Sequence, residues 1–491
     1  MNKNFAKVFF SLSGLIIVGK ALGLIKNSLV ASRYGAGFIY DIYAVEGGLI
    51  NEMCGVMSAF ISCTFIPTYV PLKKRERDEI TSIVFSVGSS LMILLLLLGE
   101  LFPDVLLRML VPGYFDMYDS ALMVNITRAF LINLLGIFST NLFATLLQAN
   151  EIYIFLALEG VTSGFVMILY LLFFYKYEIW GLVTTTLVIS AINILVLVIT
   201  IYRKNLFSFK LNFDYKNRHF VSMVKTAFPM LIVALLYQVN YVVDRFMASY
   251  LDSGSVSILT YANVFSMAIY SVIGYVISSY AYPVIGKFLN DDVAFSNTAN
   301  MFLNILCELV FPCVIFAALF SRDIVSIFYG HGTMKTSDIN LISKVLLIYL
   351  PGVVGYCIRN YCVKLYYLKK KTWLIVIVDC SGIVLNILLN IVLVKILGIG
   401  GLALATSFAY IFTSMLLVVL ANKNRIAQIK INTITIIKTI IIIIFTTFLH
   451  IYALSKINSF GMRVVIMFVL LGGLFGIYNW DKLRKTANKL I

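Results

Sequence analysis

The chain has 491 residues, 61% hydrophobic and 13% charged, with a formal net charge of +16. A soluble domain is nearer roughly one half apolar and one quarter charged, so a water-soluble globular enzyme is excluded. Runs of about 20 apolar residues, each long enough to cross a hydrocarbon core, recur throughout and predict an all-α, polytopic membrane protein.

In chain order, fourteen transmembrane helices are predicted at about 7–30, 40–69, 79–101, 121–147, 153–175, 178–202, 219–250, 255–286, 295–320, 338–366, 373–395, 399–421, 433–454 and 461–480. The first is too long for a cleaved signal peptide, lacks a small-residue cleavage site and reads as a retained helix. It carries Lys20 and Lys26. Six residues are about 600° of helix, so the two lie about 120° apart and roughly 9 Å along the axis. Either both face a wide cavity or they snorkel to an interface. The second helix carries Asp41, Glu46 and Glu52 with Gly47, Gly48 and Gly55. Asp41 is an interfacial cap or a cavity residue, and the glycines suggest a bend or a close approach.

Basic loops at 73–77, 203–225, 369–371, 422–425 and 481–485 fall on one side of the membrane. The positive-inside rule makes that side cytoplasmic and places both termini there. The basic excess is therefore topological, and no nucleic-acid partner is implied. Spans 1–6 also repeat as spans 7–12. Ala31-Ser32 answers Ala248-Ser249, Tyr43-Ala44 answers Tyr261-Ala262, Pro67 answers Pro283, and the run from Gly181 answers that from Gly401, all at offsets of about 216–220. Six spans per copy keep both copies in one orientation, which is a parallel repeat. The predicted organisation is an N-lobe at 1–202, a basic linker at 203–218, a C-lobe at 219–425, and two further helices with a tail at 426–491. Two lobes around a midplane cavity are the usual arrangement of a secondary transporter.

The seven cysteines lie in apolar segments without metal-ligand spacing, and His219, His331 and His450 are isolated. No Gly-rich phosphate loop precedes a Lys and Ser/Thr, which speaks against an ATP-driven pump and against an enzyme. Span 7 holds the adjacent pair Asp244 and Arg245, which is a self-compensated structural pair or a functional one. In span 11 Asn386 and Asn390 share a helix face, and span 12 places Thr406 at comparable depth. Carboxylate, amide and hydroxyl oxygens suit a hard alkali cation; an Asn pair in a span also serves as interhelical glue.

Lys20, Leu22-Gly23, Lys26, Gly35-Ala36-Gly37 and Asp41 have the spacing of a known first-helix signature. With FIPTYVPL at 65–72 and SGSVSILTYAN at 253–263, the chain resembles the MurJ (MviN) lipid II flippases of the multidrug/oligosaccharidyl-lipid/polysaccharide exporter superfamily. The resemblance implies outward flipping of undecaprenyl-pyrophosphate-linked peptidoglycan precursor across a bacterial inner membrane, with no enzymatic step. It also implies a tail groove in the last two helices and cell-wall synthesis proteins as partners. It carries substrate binding onto Lys20, Lys26 and Asp41, and sodium binding onto Asp244, Asn386, Asn390, the Leu402 carbonyl and Thr406. The family's first-helix arginines are lysines here, its basic residue in the second helix is absent near Met53 or Cys54, and its eighth-helix arginine is Val264. Arg245 and Arg359 are the candidate replacements. Asn390 stands where the family has a second acid, so one expected sodium ligand is neutral. Rival readings are a flippase for another undecaprenyl-linked oligosaccharide, a multidrug/cation antiporter, and a non-transporting scaffold.

Overall fold

Inside a membrane every backbone N–H and C=O must find a partner within its own segment, and helices do this at lowest cost. The computed structural model describes residues 3–430, and among these the regular elements are all helical. In the first half they are α1 Lys3–Tyr34, α2 Phe38–Tyr69, α3 Lys74–Leu101, α4 Pro103–Leu110, α5 Pro112–Met117, α6 Ser120–Leu131, α7 Asn133–Ala149, α8 Phe155–Phe173 and α9 Glu178–Arg203. The second half has α10 Arg218–Ser249, α11 Ser255–Ile269, a π-helical turn Tyr270–Gly274, α12 Tyr275–Gly286, α13 Asp292–Leu319, α14 Ser321–Tyr329, α15 Thr336–Leu368, α16 Thr372–Leu397 and α17 Ile399–Lys423. Nine helices among the described residues are long and apolar enough to cross a membrane. The predicted thirteenth and fourteenth spans lie outside the described residues.

The helix starts follow local chemistry. Asp119 caps α6 by accepting from Ala121 N at 3.0 Å, and Asn217 caps α10 by accepting from His219 N at 2.9 Å. Asp291 caps α13 through Val293 N and Ala294 N at 3.0 and 2.9 Å. Proline opens both α4 and α5, where its missing N–H has no helical partner to lose. Both halves place a short helix after their third long one, α4 after α3 and α14 after α13. The hydropathy reading passed over these because they are shorter than a span. The predicted span 255–286 is one continuous helical run, Ser255–Gly286, widened by a π-turn at Tyr270–Gly274.

The described chain divides into two compact units. One comprises Met1–Val264, Val325–Ile348 and Lys371–Ala409; the other comprises Phe265–Ile324, Tyr349–Lys370 and the residues from Tyr410 on. In the second, buried phenols tie helices by backbone acceptors. Tyr361 donates to the Ala299 carbonyl and Tyr366 to the Leu417 carbonyl, each at 2.7 Å. Lys369 pairs with Asp292 at 2.7 Å.

In the first unit α1 lies against α8 along a seam of glycines. Gly19 on α1, with Gly160 and Gly164 on α8, lets the two helix backbones approach closely. A Cβ on Gly19 would stand 3.3 Å from the Gly160 carbonyl carbon, and one on Gly164 would meet the Leu22 Cβ at 2.5 Å. This seam fixes the helix that carries Lys20 and Lys26. Gly164→Leu is therefore expected to cost about 1–3 kcal/mol through overpacking. Thermal unfolding in detergent should show a lower Tm for this variant. Gly23→Ala, with nothing within 4 Å of the new methyl and alanine the better helix former, should leave Tm unlowered or slightly raised.

Candidate functional site

Helix α1 leaves Lys20 exposed and Lys26 half-buried. Among the described residues neither ammonium has an ion pair or a hydrogen bond. Arg33, nearer the end of α1, stacks over the Tyr175 ring at 4.1 Å. The two lysines thus stand as uncompensated positive charges on a helix of a membrane-spanning bundle.

Asp41, one turn into α2, is fully buried. Its carboxylate accepts from Gly254 N at 2.6 Å, Ser257 N at 2.8 Å, Ser257 Oγ at 2.5 Å and the Tyr114 hydroxyl at 2.8 Å. Two of these donors are the backbone amides at the start of α11, where four N–H groups lack helical partners and the helix dipole favours a negative charge. The carboxylate is therefore a cap supplied from another helix. Gly254 has φ +92, and a Cβ there would meet the Ala36 carbonyl oxygen at 2.7 Å. Only glycine lets the two turns meet. Tyr114 lies on α5, outside the long spans. Burial, with the nearby Asp41 charge, holds its phenol well above the ordinary value, so it donates.

Around this cap, Tyr261 donates to the Gly35 carbonyl at 3.0 Å and stacks on Tyr40 with centroids 4.6 Å apart. The turn after α14 grips the end of α1. Thr333 N donates to the Ser32 carbonyl at 2.9 Å, and Ser28 Oγ donates to the Phe328 carbonyl at 2.5 Å. Sequence reasoning singled out Asp41 but not Tyr114, Gly254 or Ser257. The available signal was Gly254 and the run of amides that opens α11, but nothing in the sequence says which acid meets them.

Arg245 on α10 is half-buried. Its guanidinium donates to the Tyr241 hydroxyl at 2.7 Å, reaches Thr260 Oγ1 at 3.5 Å, and lies 4.4 Å from the Tyr241 ring centroid. Tyr241 in turn packs on Gly48 of α2, and Gln238 on Gly55. The glycines of α2 are thus a close approach for α10. Arg359 is 6% exposed, lies on α15 within the second unit, and reaches Asn360 Oδ1 at 3.5 Å. Glu46 is fully buried, and neither carboxylate oxygen has a hydrogen-bond partner among the described residues.

The structure brings Asp244, Asn386, Asn390, Leu402 and Thr406 together. Asn390 Nδ2 donates to Asp244 Oδ1 at 2.7 Å and to Asn386 Oδ1 at 3.0 Å. Asn386 Nδ2 donates to Thr406 Oγ1 at 3.4 Å, and Thr406 Oγ1 donates to the Leu402 carbonyl at 3.0 Å. The chain of bonds links α10, α16 and α17.

Comparison with known proteins gives one consistent result. The family profile described as "Lipid II flippase MurJ" matches residues 30–472. A probable lipid II flippase MurJ of Buchnera aphidicola subsp. Acyrthosiphon pisum is 19% identical over 95% of this chain and 94% of its own. That of Rickettsia prowazekii is 21% identical over 96% and 98%. Among solved structures, a lipid II flippase MurJ in an inward closed conformation superposes with a TM-score of 0.82 at 21% identity, covering 96% of this chain and 100% of that one. An inward-facing multidrug resistance transporter of the MATE family gives 0.69 at 14% identity, over 83% and 94%.

The Asp41 cap yields a graded expectation. Charge-assisted hydrogen bonds are worth about 1.5–3 kcal/mol each, so Asp41→Ala should loosen the start of α11 most. Asp41→Asn, which keeps an acceptor oxygen but loses the charge, should fall between. Hydrogen exchange of amides 254–260 is the measurement. Unchanged protection in the Ala variant would show that the carboxylate does not hold this helix end.

Proposed function

This chain belongs to the lipid II flippase MurJ family, and on that premise we propose that it moves lipid II from the inner to the outer leaflet by alternating access. It is a transporter rather than an enzyme, with a lipid-linked glycan as substrate and membrane lipids as surroundings. The observation that carries the reading is the pair of uncompensated ammonium groups on α1, Lys20 and Lys26. A bare charge in a membrane helix costs about 2.5–3.5 kcal/mol on insertion scales, so it is kept where a cavity or ligand receives it. A pyrophosphate supplies the complementary charge. Lysine offers a point charge rather than the bidentate fork of arginine. Recognition here rests on electrostatics more than on fixed geometry.

With both termini in the cytoplasm, the α1–α2 turn and the start of α11 lie at the outer end. The Asp41 cap then acts as a latch that keeps the outer end shut while the headgroup enters from inside. Opening must release four donors from one carboxylate, and re-closure recovers them. An interior-negative potential favours outward movement of the pyrophosphate by about 2.3 kcal/mol per charge per 100 mV. Arg245, held by Tyr241 against α2, is placed to add a third positive charge on the α10 side.

Lys20→Ala should abolish flipping of labelled lipid II in proteoliposomes while leaving membrane abundance near normal. Lys20→Arg should keep activity, because charge is retained. Lys20→Glu should be at least as impaired as Ala through repulsion of the phosphates. Wild-type flipping by the Ala variant would reduce Lys20 to a snorkelling side chain and end the electrostatic account. Rescue of a bacterium depleted of its own lipid II flippase tests the substrate independently.

A further inference from the structure

The cluster beneath Asp244 has the chemistry of an alkali-cation site: one carboxylate, two carboxamides, a hydroxyl and a backbone carbonyl. Its hydrogens are arranged otherwise. An amide NH2 has two hydrogens. Those of Asn390 go to Asp244 Oδ1 at 2.7 Å and Asn386 Oδ1 at 3.0 Å. Asn386 Nδ2 donates to Thr406 Oγ1 at 3.4 Å, and the Thr406 hydroxyl donates to the Leu402 carbonyl at 3.0 Å. All four oxygens facing one another across α10, α16 and α17 therefore already accept a hydrogen. Asn390 Oδ1 is buried without a partner, and Asp244 has a second oxygen. Each bonded oxygen keeps a second lone pair, but the Asn390 NH2 stands 2.7 Å from Asp244 Oδ1 and 3.0 Å from Asn386 Oδ1 and turns its two partly positive hydrogens into the space that a cation would need. As arranged, the donor set does not fit a metal ion. No group of three or more His, Cys, Asp or Glu side chains occurs among the described residues either.

We propose that the Asn390 amide takes the place of a cation in this chain, and that the transport cycle is consequently independent of sodium. The amide presents its N–H edge to Asp244 and Asn386, where a cation would present positive charge. A charge-assisted N–H to carboxylate bond joins α10 to α16 without any ion. The residue at 390 decides the matter. An acid there would set two carboxylates against each other across the same short distance. Two carboxylates in one site do not both stay ionised without a positive charge or a shared proton. With asparagine the centre is complete as folded.

The proposal deepens the flippase reading and rests on it only for the word transport; the centre itself is tested without substrate. Purified wild-type protein is unfolded thermally in sodium, potassium and choline chloride at equal ionic strength. A ligand that binds only the folded state raises stability with its concentration. The three salts should give Tm values within about 1 °C of one another. Asn390→Asp should acquire a saturable rise with sodium that choline does not produce. A saturable, sodium-specific rise in the wild type, lost in Asp244→Asn, would overturn the proposal, and this arm stands even if Asn390→Asp does not fold. In proteoliposomes, flipping of labelled lipid II should proceed at the same rate when choline replaces sodium on both sides. Loss of flipping on that replacement would also overturn it. Absence of flipping in every salt would instead count against the substrate, leaving the thermal result intact.

Discussion

One carboxylate holds the α1–α2 turn and the start of α11 together. Asp41 takes four hydrogens from two places far apart in the chain, α5 and the start of α11, two of them from the bare N-terminal amides of α11. A helix end in a membrane protein has to be satisfied by something other than lipid. Here the satisfying group sits on a different helix, so satisfying the backbone and closing the bundle are one event. Gly254 at φ +92, Tyr261 bonded to the Gly35 carbonyl, and Thr333 bonded to the Ser32 carbonyl all gather around that point.

The treatment of charge differs from place to place, and the differences sort structure from function. Asp41 and Asp244 are answered by N–H groups. Arg33 and Arg245 are answered by tyrosine rings, Arg245 also by hydroxyls. Lys20 and Lys26 are answered by nothing among the described residues. Desolvation makes an unanswered charge expensive in a low-dielectric slab, and that cost is the ground on which the proposed function gives these two lysines a mobile partner. Glu46, fully buried five residues along the same helix from the cap, has the Thr127 side chain as its polar neighbour.

Much of the fold was legible because hydropathy acts on long windows. The predicted spans at 178–202, 219–250 and 399–421 fall within a residue or two of α9, α10 and α17. Capping residues such as Asp119 and Asp291 sit where local rules place them. The short helices α4, α5 and α14 escaped because a helix of a turn or two leaves no apolar run. The glycines of the α1–α8 seam, Gly19, Gly160 and Gly164, stand in the sequence, yet pairing them requires knowing which helices touch. At the candidate site, the clustering of Asp244, Asn386, Asn390 and Thr406 followed from spacing and likeness, but the direction of each hydrogen bond did not. Donor and acceptor ends of an amide look identical in a sequence. The placement of Arg359 inside the second unit was likewise invisible, because an arginine in a span can face either way.

The hydrogens that Asp41 accepts from Gly254 and Ser257 come from 213 and 216 residues further along the chain. Synthesis delivers α1 and α2 long before α11, and during that interval the carboxylate has only Tyr114 of its present partners to draw on. The first half of the chain therefore carries a buried acid that it cannot satisfy by itself. A nascent chain that stops short of α11 is left with this acid unanswered, a mark by which an unfinished copy differs chemically from a finished one.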